Sequence, residues 1–410
     1  MSSPPLNPFE KIIKLERRGI RTLLGPLKEA ASNLDLLPYS SRAIHVTGTN
    51  GKGSVTVMID HLLREHGLSV GRYTSPHLHD FRERIVVDGE KIGIEALNEL
   101  SDKVLKFSEE KGIQLTFFEA TTLVALLYFK ASKTDWVVLE VGMGGRLDAT
   151  NIVDGELAAL PSIGLDHTEW LGSTECEIAR EKCGVLRRGS TLVTGPLSTE
   201  AETAVYNEVI EKDVSWFKYG DSFFLKDGHL FKMGEKSFGV TLPLLGKFQH
   251  SNSAVALASV EVILQDLDPV TVASAFSKVK WPGRFEPVSK NPEVWLDVAH
   301  NPAGIEALIT CLPPEAEVDF WYSASRGKDI QKMCDLLLSR GNLHYLDVEH
   351  ERLMSFAEFR RAYPKLAGAV RSCKKLDELK INSFIRPTVL CGSVYLIGEV
   401  RKYLHMEWQC

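Results

Sequence analysis

The amino-acid sequence predicts an α/β protein built on parallel sheets and divided into two successive domains. Strand-like apolar runs alternate with helical patterns almost from end to end. The alternation breaks at residues 214–242 into short runs punctuated by Gly and Asp, then restarts near residues 279–288. A chain of 410 residues is also too long for one comfortable core.

The elements follow in order. Residues 43–47 read as a strand, and Val55, Met58, Ile59, Leu62 and Leu63 behind it share one helical face. WVVLEV, residues 136–141, is a second buried strand, and 157–165 a third. The run 214–242 predicts antiparallel hairpins inserted on the sheet. A strand at 294–298, the turn AHNPAG and a helix from 303 open the second series, which ends in PTVLCGSVYLIGEVRKYL. The domain boundary falls near residue 285, giving domains 1–284 and 285–410. No internal repeat, low-complexity tract or coiled coil interrupts them.

Composition narrows the function. Charged residues make up 25% and apolar ones 44%, ordinary values for a globular protein. A net charge of -6 argues against a nucleic-acid surface, which needs a basic face, but not against a bound nucleotide. The seven cysteines form no CxxC pair, which predicts a reducing compartment without zinc ribbon or disulfide frame. The first residues lack the apolar core of a signal peptide and carry Glu10 and Glu16, unlike a transit peptide. With no apolar run long enough for a membrane span, a cytoplasmic protein without membrane partners is expected.

Gly48-Thr49-Asn50-Gly51-Lys52-Gly53-Ser54 follows a strand and opens a helix, the context of a phosphate loop. Glycines let backbone N–H groups turn inward, and Lys52 can reach terminal phosphates. The common G-x-x-x-x-G-K-S/T spacing fails twice: Val46 stands at the first glycine, and Gly53 replaces the hydroxyl that usually ligates Mg²⁺. Another oxygen has to substitute.

Glu140 ends a buried strand, where an ionised carboxylate is costly unless paired or metal-bound. On the residues alone, a structural acid satisfied by the next loop remains open. GMGGRLDATN, residues 142–151, then crowds three glycines, Arg146 and Asp148 into one turn. His167 follows a strand and reads either as a structural histidine or as a metal ligand. Lys182 reads by default as a solvated helix lysine. RYTSPHLHDFRERI, residues 72–85, reads by default as a charged surface loop.

Taken together, these stretches resemble the folate branch of the Mur-type ATP-dependent amide ligases, the dihydrofolate synthase/folylpolyglutamate synthase family. The motifs are HVTGTNGKGSV, YTSPHL, LTFFEATT, VLEVGMGGRLDATN, GLDHTEWLGSTECEIAREKCG, FQHSNSAVA, WPGRFE, LDVAHNPAG and CGSVYLIGE, in family order from about residue 43 to 398. The ending is most similar to fungal dihydrofolate synthases. The resemblance implies a P-loop ATPase-type, mostly parallel sheet domain with a small β insert, then a smaller Rossmann-like α/β domain acting as a lid.

It also implies ATP, contacted by Thr49, Asn50, Gly51, Lys52, Gly53 and Ser54, with Asn252, Arg284 and Asp297. Two Mg²⁺ ions are implied, held by Ser75, Glu140, His167 and a carbamylated Lys182. Phe117, Phe118, Glu119, Leu147, Asp148 and Ala149 match pterin-holding stretches, and His300 and Ser323 lie near the implied glutamate contacts. Lys52, Lys182 and His300 are the catalytic candidates. The implied substrates are dihydropteroate or a reduced folate with L-glutamate, and the implied state a monomer. Three departures stand out: Cys183 replaces an alanine, Val298 a glycine and Ser253 an alanine.

The expected reaction is ligation of glutamate to dihydropteroate, giving dihydrofolate. The alternatives are extension of folate polyglutamate tails, both activities together, a cell-wall-precursor ligase, a small-molecule kinase, or an ATP-binding switch that has lost ligation.

Overall fold

The computed structural model describes residues 7–19, 23–232 and 235–406. The chain folds into two compact units. The first comprises the chain up to His77, Phe81–Thr241 and Ser251–Val279; the second comprises Leu78–Asp80, Leu242–His250 and the chain from Lys280 onward.

The first unit is built on eight strands: β1 Arg42–Val46, β2 Val70–Tyr73, β3 Ile85–Val87, β4 Glu90–Lys91, β5 Trp136–Glu140, β6 Leu157–Leu160, β7 Thr191–Thr194 and β8 Ser215–Lys218. They lie in the order β4-β3-β2-β5-β1-β6-β7-β8. The six from β2 to β8 in that order run parallel, and β3 and β4 add an antiparallel edge. The central strands are buried on both faces, as the unbroken apolar run WVVLE requires of a covered parallel strand. Helices Ile94–Lys111 and Phe117–Ser132 bury a core against one region of this sheet, and helices Glu175–Cys183 and Thr199–Lys212 bury another beside β6 and β7.

Two expectations need correction here. The third strand stops at Leu160, because Pro161 and Ser162 turn the chain toward the phosphate loop; residues 161–165 are not strand. The 214–242 region is not one insert. Its first piece, β8, joins the main sheet in parallel through β7, where Trp216 sits level with Leu192. Only β9 Phe223–Lys226, β10 His229–Lys232 and β11 Glu235–Gly239 form the expected antiparallel hairpins, as a separate three-stranded sheet.

The second unit carries β12 Glu286–Lys290, β13 Glu293–Leu296, β14 Val318–Tyr322, β15 Gly341–Asp347, β16 Cys373–Lys375 and β17 Thr388–Cys391. Their order is β12-β13-β17-β14-β15-β16, parallel except for β12. Side chains alternate between two cores with the period of a strand. Phe320, Tyr322, Val389 and Cys391 enter one core; Trp321, Leu390 and Leu296 enter the other, against Leu396, Ile397 and Val400 of helix Val394–Tyr403. Among the described residues, no helix is long and apolar enough to cross a membrane.

Candidate active site

Strand register assembles the site. Val46 of β1 lies level with Glu140 of β5 and Ala159 of β6, and Tyr73 of β2 with Leu139. The loops leaving β2, β5, β1 and β6 therefore emerge side by side at the carboxyl edge, where open α/β sheets bind ligands. Those loops hold Ser75, Glu140 and its successors, residues 48–54, and residues 161–167.

Gly51 takes a left-handed conformation, φ 86°, immediately before helix Lys52–Glu65. A Cβ there would stand 2.5 Å from Asn252 Oδ1, so only glycine fits, and Asn252 is brought against the loop. Lys52 Nζ donates to the Gly48 and Thr49 carbonyls at 3.0 and 3.1 Å, folding back over the loop. Gly53 and Ser54 are buried in the first helical turn. Thr49 points its hydroxyl into the neighbouring loop, donating to Gly164 O at 2.9 Å and accepting from Gly164 N–H at 3.0 Å. Asn50 N–H donates to Ser162 Oγ, which donates in turn to Asn50 O, both at 3.0 Å. Thr47 Oγ1 donates to Gly144 O at 2.7 Å, joining the base of the phosphate loop to the glycine-rich turn after β5.

Glu140 is 5% exposed at the end of β5, and its Oε2 accepts the Ser75 backbone N–H at 3.0 Å. His167 adopts a left-handed conformation, φ 51°, at the start of the short helix Thr168–Leu171, with Nε2 3.9 Å from Asp166 Oδ2. Among the described residues, no group of three or more His, Cys, Asp and Glu could hold a metal. The expected set instead pairs one carboxylate and one hydroxyl residue beside the phosphate loop. That chemistry fits Mg²⁺, which typically takes one or two carboxylates and completes its shell with substrate phosphates and water.

Lys182 is buried, not the solvated helix lysine that its sequence context suggests. Gly145 and Gly184 permit this by letting backbones meet. A Cβ on Gly145 would lie 2.5 Å from Lys182 O, and one on Gly184 2.3 Å from Arg146 Cβ. Arg146 N–H donates to Glu181 O at 2.8 Å, and its guanidinium holds the Glu181 carboxylate at 2.7 Å. Burial, and next the Lys52 charge, lower the Lys182 amine to about 7, against the opposing pull of Asp166 and Asp148.

The 72–85 stretch is a surface loop only in its middle: Pro76 and His79 are exposed, while Arg72, Thr74, Glu83 and Arg84 at its two ends are buried. Arg84 lies 5.4 Å from the Phe117 ring, donating to His77 Nδ1 at 2.8 Å. Phe118 covers Gly142, where a Cβ would stand 2.6 Å from its ring, and so meets the turn that carries half-buried Leu147 and buried Asp148 and Ala149. Glu119 has a role that the motif alone hid. With Thr116 it forms a capping box on helix Phe117–Ser132, its carboxylate accepting Thr116 N–H at 2.7 Å. Asp148 accepts from Met143 N–H, Thr150 N–H and Thr150 Oγ1 at 3.0, 3.0 and 2.7 Å; burial still pushes its carboxyl up.

In the second unit, Asp297 follows β13 and accepts backbone N–H groups from Phe285 and Ala299, both at 2.8 Å. Burial raises its carboxyl while the Arg284 charge lowers it. The Val298 side chain sits over Gly283, whose φ of 73° and 2.7 Å would-be Cβ contact leave room for the larger residue. His300 is half-buried, its Nδ1 2.9 Å from Val298 O. Ser323 is fully buried and donates to Leu346 O.

Sequence reading missed three supports of the site. Asp60 and Arg72, both buried, pair at 2.8 Å and join the phosphate-loop helix to the strand leading to Ser75. Asn151 donates to Arg146 O and Gly184 O at 2.9 and 3.2 Å while accepting from Arg187 at 2.8 Å, fastening the glycine turn to the segment after Lys182. His45, fully buried in β1, lies 3.1 Å from Thr150 O. The sequence signal in each case is a polar residue inside an apolar strand, on a largely apolar helix, or at a turn.

Residues 46–260 match the Mur ligase middle domain, and the fold and site accordingly define a Mur-type ligase. Within that class, the chain belongs to the dihydrofolate synthase/folylpolyglutamate synthase family of ATP-dependent folate ligases. It is 31% identical to the Bacillus subtilis dihydrofolate synthase/folylpolyglutamate synthase over 94% of this chain and 96% of that one. A Haloferax volcanii protein named "Probable bifunctional folylpolyglutamate synthase/dihydropteroate synthase" is 34% identical over 95% of this chain; the match spans about half, 48%, of that relative. The Yersinia pestis bifunctional folylpolyglutamate synthase/dihydrofolate synthase, solved with AMPPNP and Mn ion, superposes with a TM-score of 0.86 at 30% identity, covering 99% of this chain and 100% of that one.

Proposed function

We propose that this chain joins L-glutamate to the carboxylate of dihydropteroate, forming dihydrofolate and releasing ADP and phosphate. One observation carries the reading: strand register places the Lys52 loop and the Ser75–Glu140 pair on one sheet edge, and the Lys52 charge bears on buried Lys182. That edge suits a nucleotide whose γ-phosphate must be held, neutralised and aimed.

In the proposed reaction, a substrate carboxylate oxygen attacks the γ-phosphorus and the bond to ADP breaks. The glutamate amine then attacks the acyl carbon of the acyl phosphate. An amide forms, inorganic phosphate leaves, and the amine gives up a proton. Lys52 would move from its loop carbonyls to the phosphates. The glycine loop with Thr49, Asn50, Gly51, Gly53 and Ser54 would seat them, with Asn252 beside it. Ser75, Glu140 and His167 would hold Mg²⁺, whose contribution is to offset the charge of the transferring phosphoryl group.

A Lys182 amine lowered to about 7 is substantially neutral at physiological pH, and so able to add to CO2, forming a carbamate and releasing a proton. The resulting anion would offer oxygens to a second Mg²⁺. Phe117, Phe118, Leu147, Asp148 and Ala149 are the proposed pterin contacts, with Glu119 acting through its helix cap. For the second unit we propose Arg284 and Asp297 as nucleotide contacts and His300, with Ser323, as glutamate contacts; half-buried His300 is the more accessible of that last pair.

Folate tail extension is the second reading, favoured by the double naming of the Bacillus subtilis relative. Phosphate release with Mg-ATP and L-glutamate separates the two. Activity with dihydropteroate alone supports the leading reading, activity with reduced monoglutamyl folate alone replaces it, and activity with both makes the enzyme bifunctional.

A further inference from the structure

Five hydrogen bonds join the phosphate loop to the loop that carries His167. Thr49 N–H donates to Ser162 O at 2.9 Å. The Thr49 hydroxyl exchanges two bonds with the Gly164 backbone, at 2.9 and 3.0 Å, and the Ser162 hydroxyl exchanges two with the Asn50 backbone, both at 3.0 Å. Each hydroxyl both donates and accepts, so each is committed to the opposite loop. Thr49 is buried, and a Cβ on Gly48 would already meet Pro161 and Ser162 at 3.2 Å, so the two loops lie in close contact.

The span from this seam to His167 is short. Gly164 is fixed at one end. At the other, Trp170 and Leu171 N–H groups donate to His167 O at 2.9 and 3.0 Å, and Leu171 packs against Gly144. Only Leu165 and Asp166 lie between. A displacement of the phosphate loop would therefore be passed to His167 rather than absorbed.

We propose that Thr49 and Ser162 are positioning residues which make these two loops one rigid element, so that nucleotide phosphates and a divalent cation are seated together. This rests on the ATP-dependent ligase reading. Its consequence is thermodynamic coupling: the cation tightens nucleotide binding, and the nucleotide tightens cation binding by the same factor. Either hydroxyl acting only as a direct nucleotide contact would change affinity without changing that factor.

The test measures ADP binding by calorimetry with and without Mn²⁺, and Mn²⁺ binding by electron paramagnetic resonance with and without ADP. No turnover is involved. Thr49→Val and Ser162→Ala should each reduce the coupling factor by about fivefold or more, within the usual range of such couplings. Thr49→Ser, which retains the hydroxyl, should restore it to within about twofold of wild type, on the same scale. Circular dichroism screens for folding, and Ser162→Ala, the milder change, carries the test if Thr49→Val fails to fold. Unchanged coupling in folded variants overturns the inference, as does a loss of ADP affinity with the factor intact. A wild-type protein that binds no Mn–ADP would overturn the ligase reading itself, and this inference with it.

Discussion

Lys52 and Lys182 act on each other electrostatically. Burial first, and then the Lys52 charge, bring the Lys182 amine down to about 7. A cation 3% exposed would be expensive, so the protein holds an amine that can shed its proton near neutrality. A neutral amine is also the form that could add to CO2, as proposed above.

Carbamylation is therefore expected to depend on both pH and dissolved CO2. Below pH 7 the amine is increasingly protonated and carbamate forms less readily, so at pH 6 removing CO2 should lower kcat and added bicarbonate should restore it. Lys182→Arg keeps a positive charge but cannot take this path, and should lower kcat by about a hundredfold or more. Glutamate-dependent ADP release measures both. Wild-type turnover in the arginine variant would remove Lys182 from the chemistry.

Gly51→Ala should impair nucleotide binding more than folding. The left-handed backbone costs alanine about 1 kcal/mol, and the new methyl group meets Asn252 Oδ1 at 2.5 Å. Either the loop or Asn252 must move. Denaturant unfolding should show a loss of about 1–3 kcal/mol, in the range for local backbone strain, while ADP affinity falls about tenfold or more. Unaltered ADP binding would mean that loop shape is not what seats the phosphates.

His45 should make the first unit acid-sensitive. Burial lowers its imidazole from 6.5 to about 4, so between those values the unfolded chain binds a proton that the folded chain refuses. The stability contributed by keeping this ring neutral is present above pH 6.5 and lost as pH falls toward 4. The slope is about 1.4 kcal/mol per pH unit, and the total about 3 kcal/mol at pH 4. His45→Gln can still donate to Thr150 O but does not titrate. Urea unfolding from pH 7 to 4 should thus fall less steeply in the variant, and identical slopes would rule His45 out as the source.

Arg72→Met should destabilise the protein by about 2 kcal/mol, somewhat less than a fully orphaned buried charge would cost, because the Asp60 carboxylate loses its buried 2.8 Å partner and keeps only Arg64, at 2.9 Å. Changing Asp60→Leu in the same chain should recover most of that loss, since Arg64 is 22% exposed and can reach solvent. A double variant no more stable than the single one would show that the pair is not what Arg72 contributes.

The amino-acid order made the architecture legible where local pattern and tertiary environment agree. WVVLE is apolar because both of its faces are covered, and the glycine-lysine loop is marked by glycines that its backbone demands. The reading was less complete where burial is decided by distant residues. Nothing within EIAREKCG shows that Gly145 will let another backbone settle onto Lys182, and nothing within TFFE distinguishes a helix cap from a ligand contact. The strand-like pattern runs on past Leu160 through Ser162 and Ile163; the bonds that turn Ser162 toward Asn50 come from more than a hundred residues away.

The most direct measurement follows oxygen. Dihydropteroate labelled with ¹⁸O in its carboxylate is incubated with Mg-ATP, L-glutamate and the enzyme, and the released phosphate is analysed by mass spectrometry. Activation as an acyl phosphate transfers one carboxylate oxygen to each phosphate released, so labelled phosphate should appear in step with dihydrofolate. Dihydrofolate formed with unlabelled phosphate would contradict the acyl-phosphate route, and ADP formed without dihydrofolate would contradict ligation to this substrate.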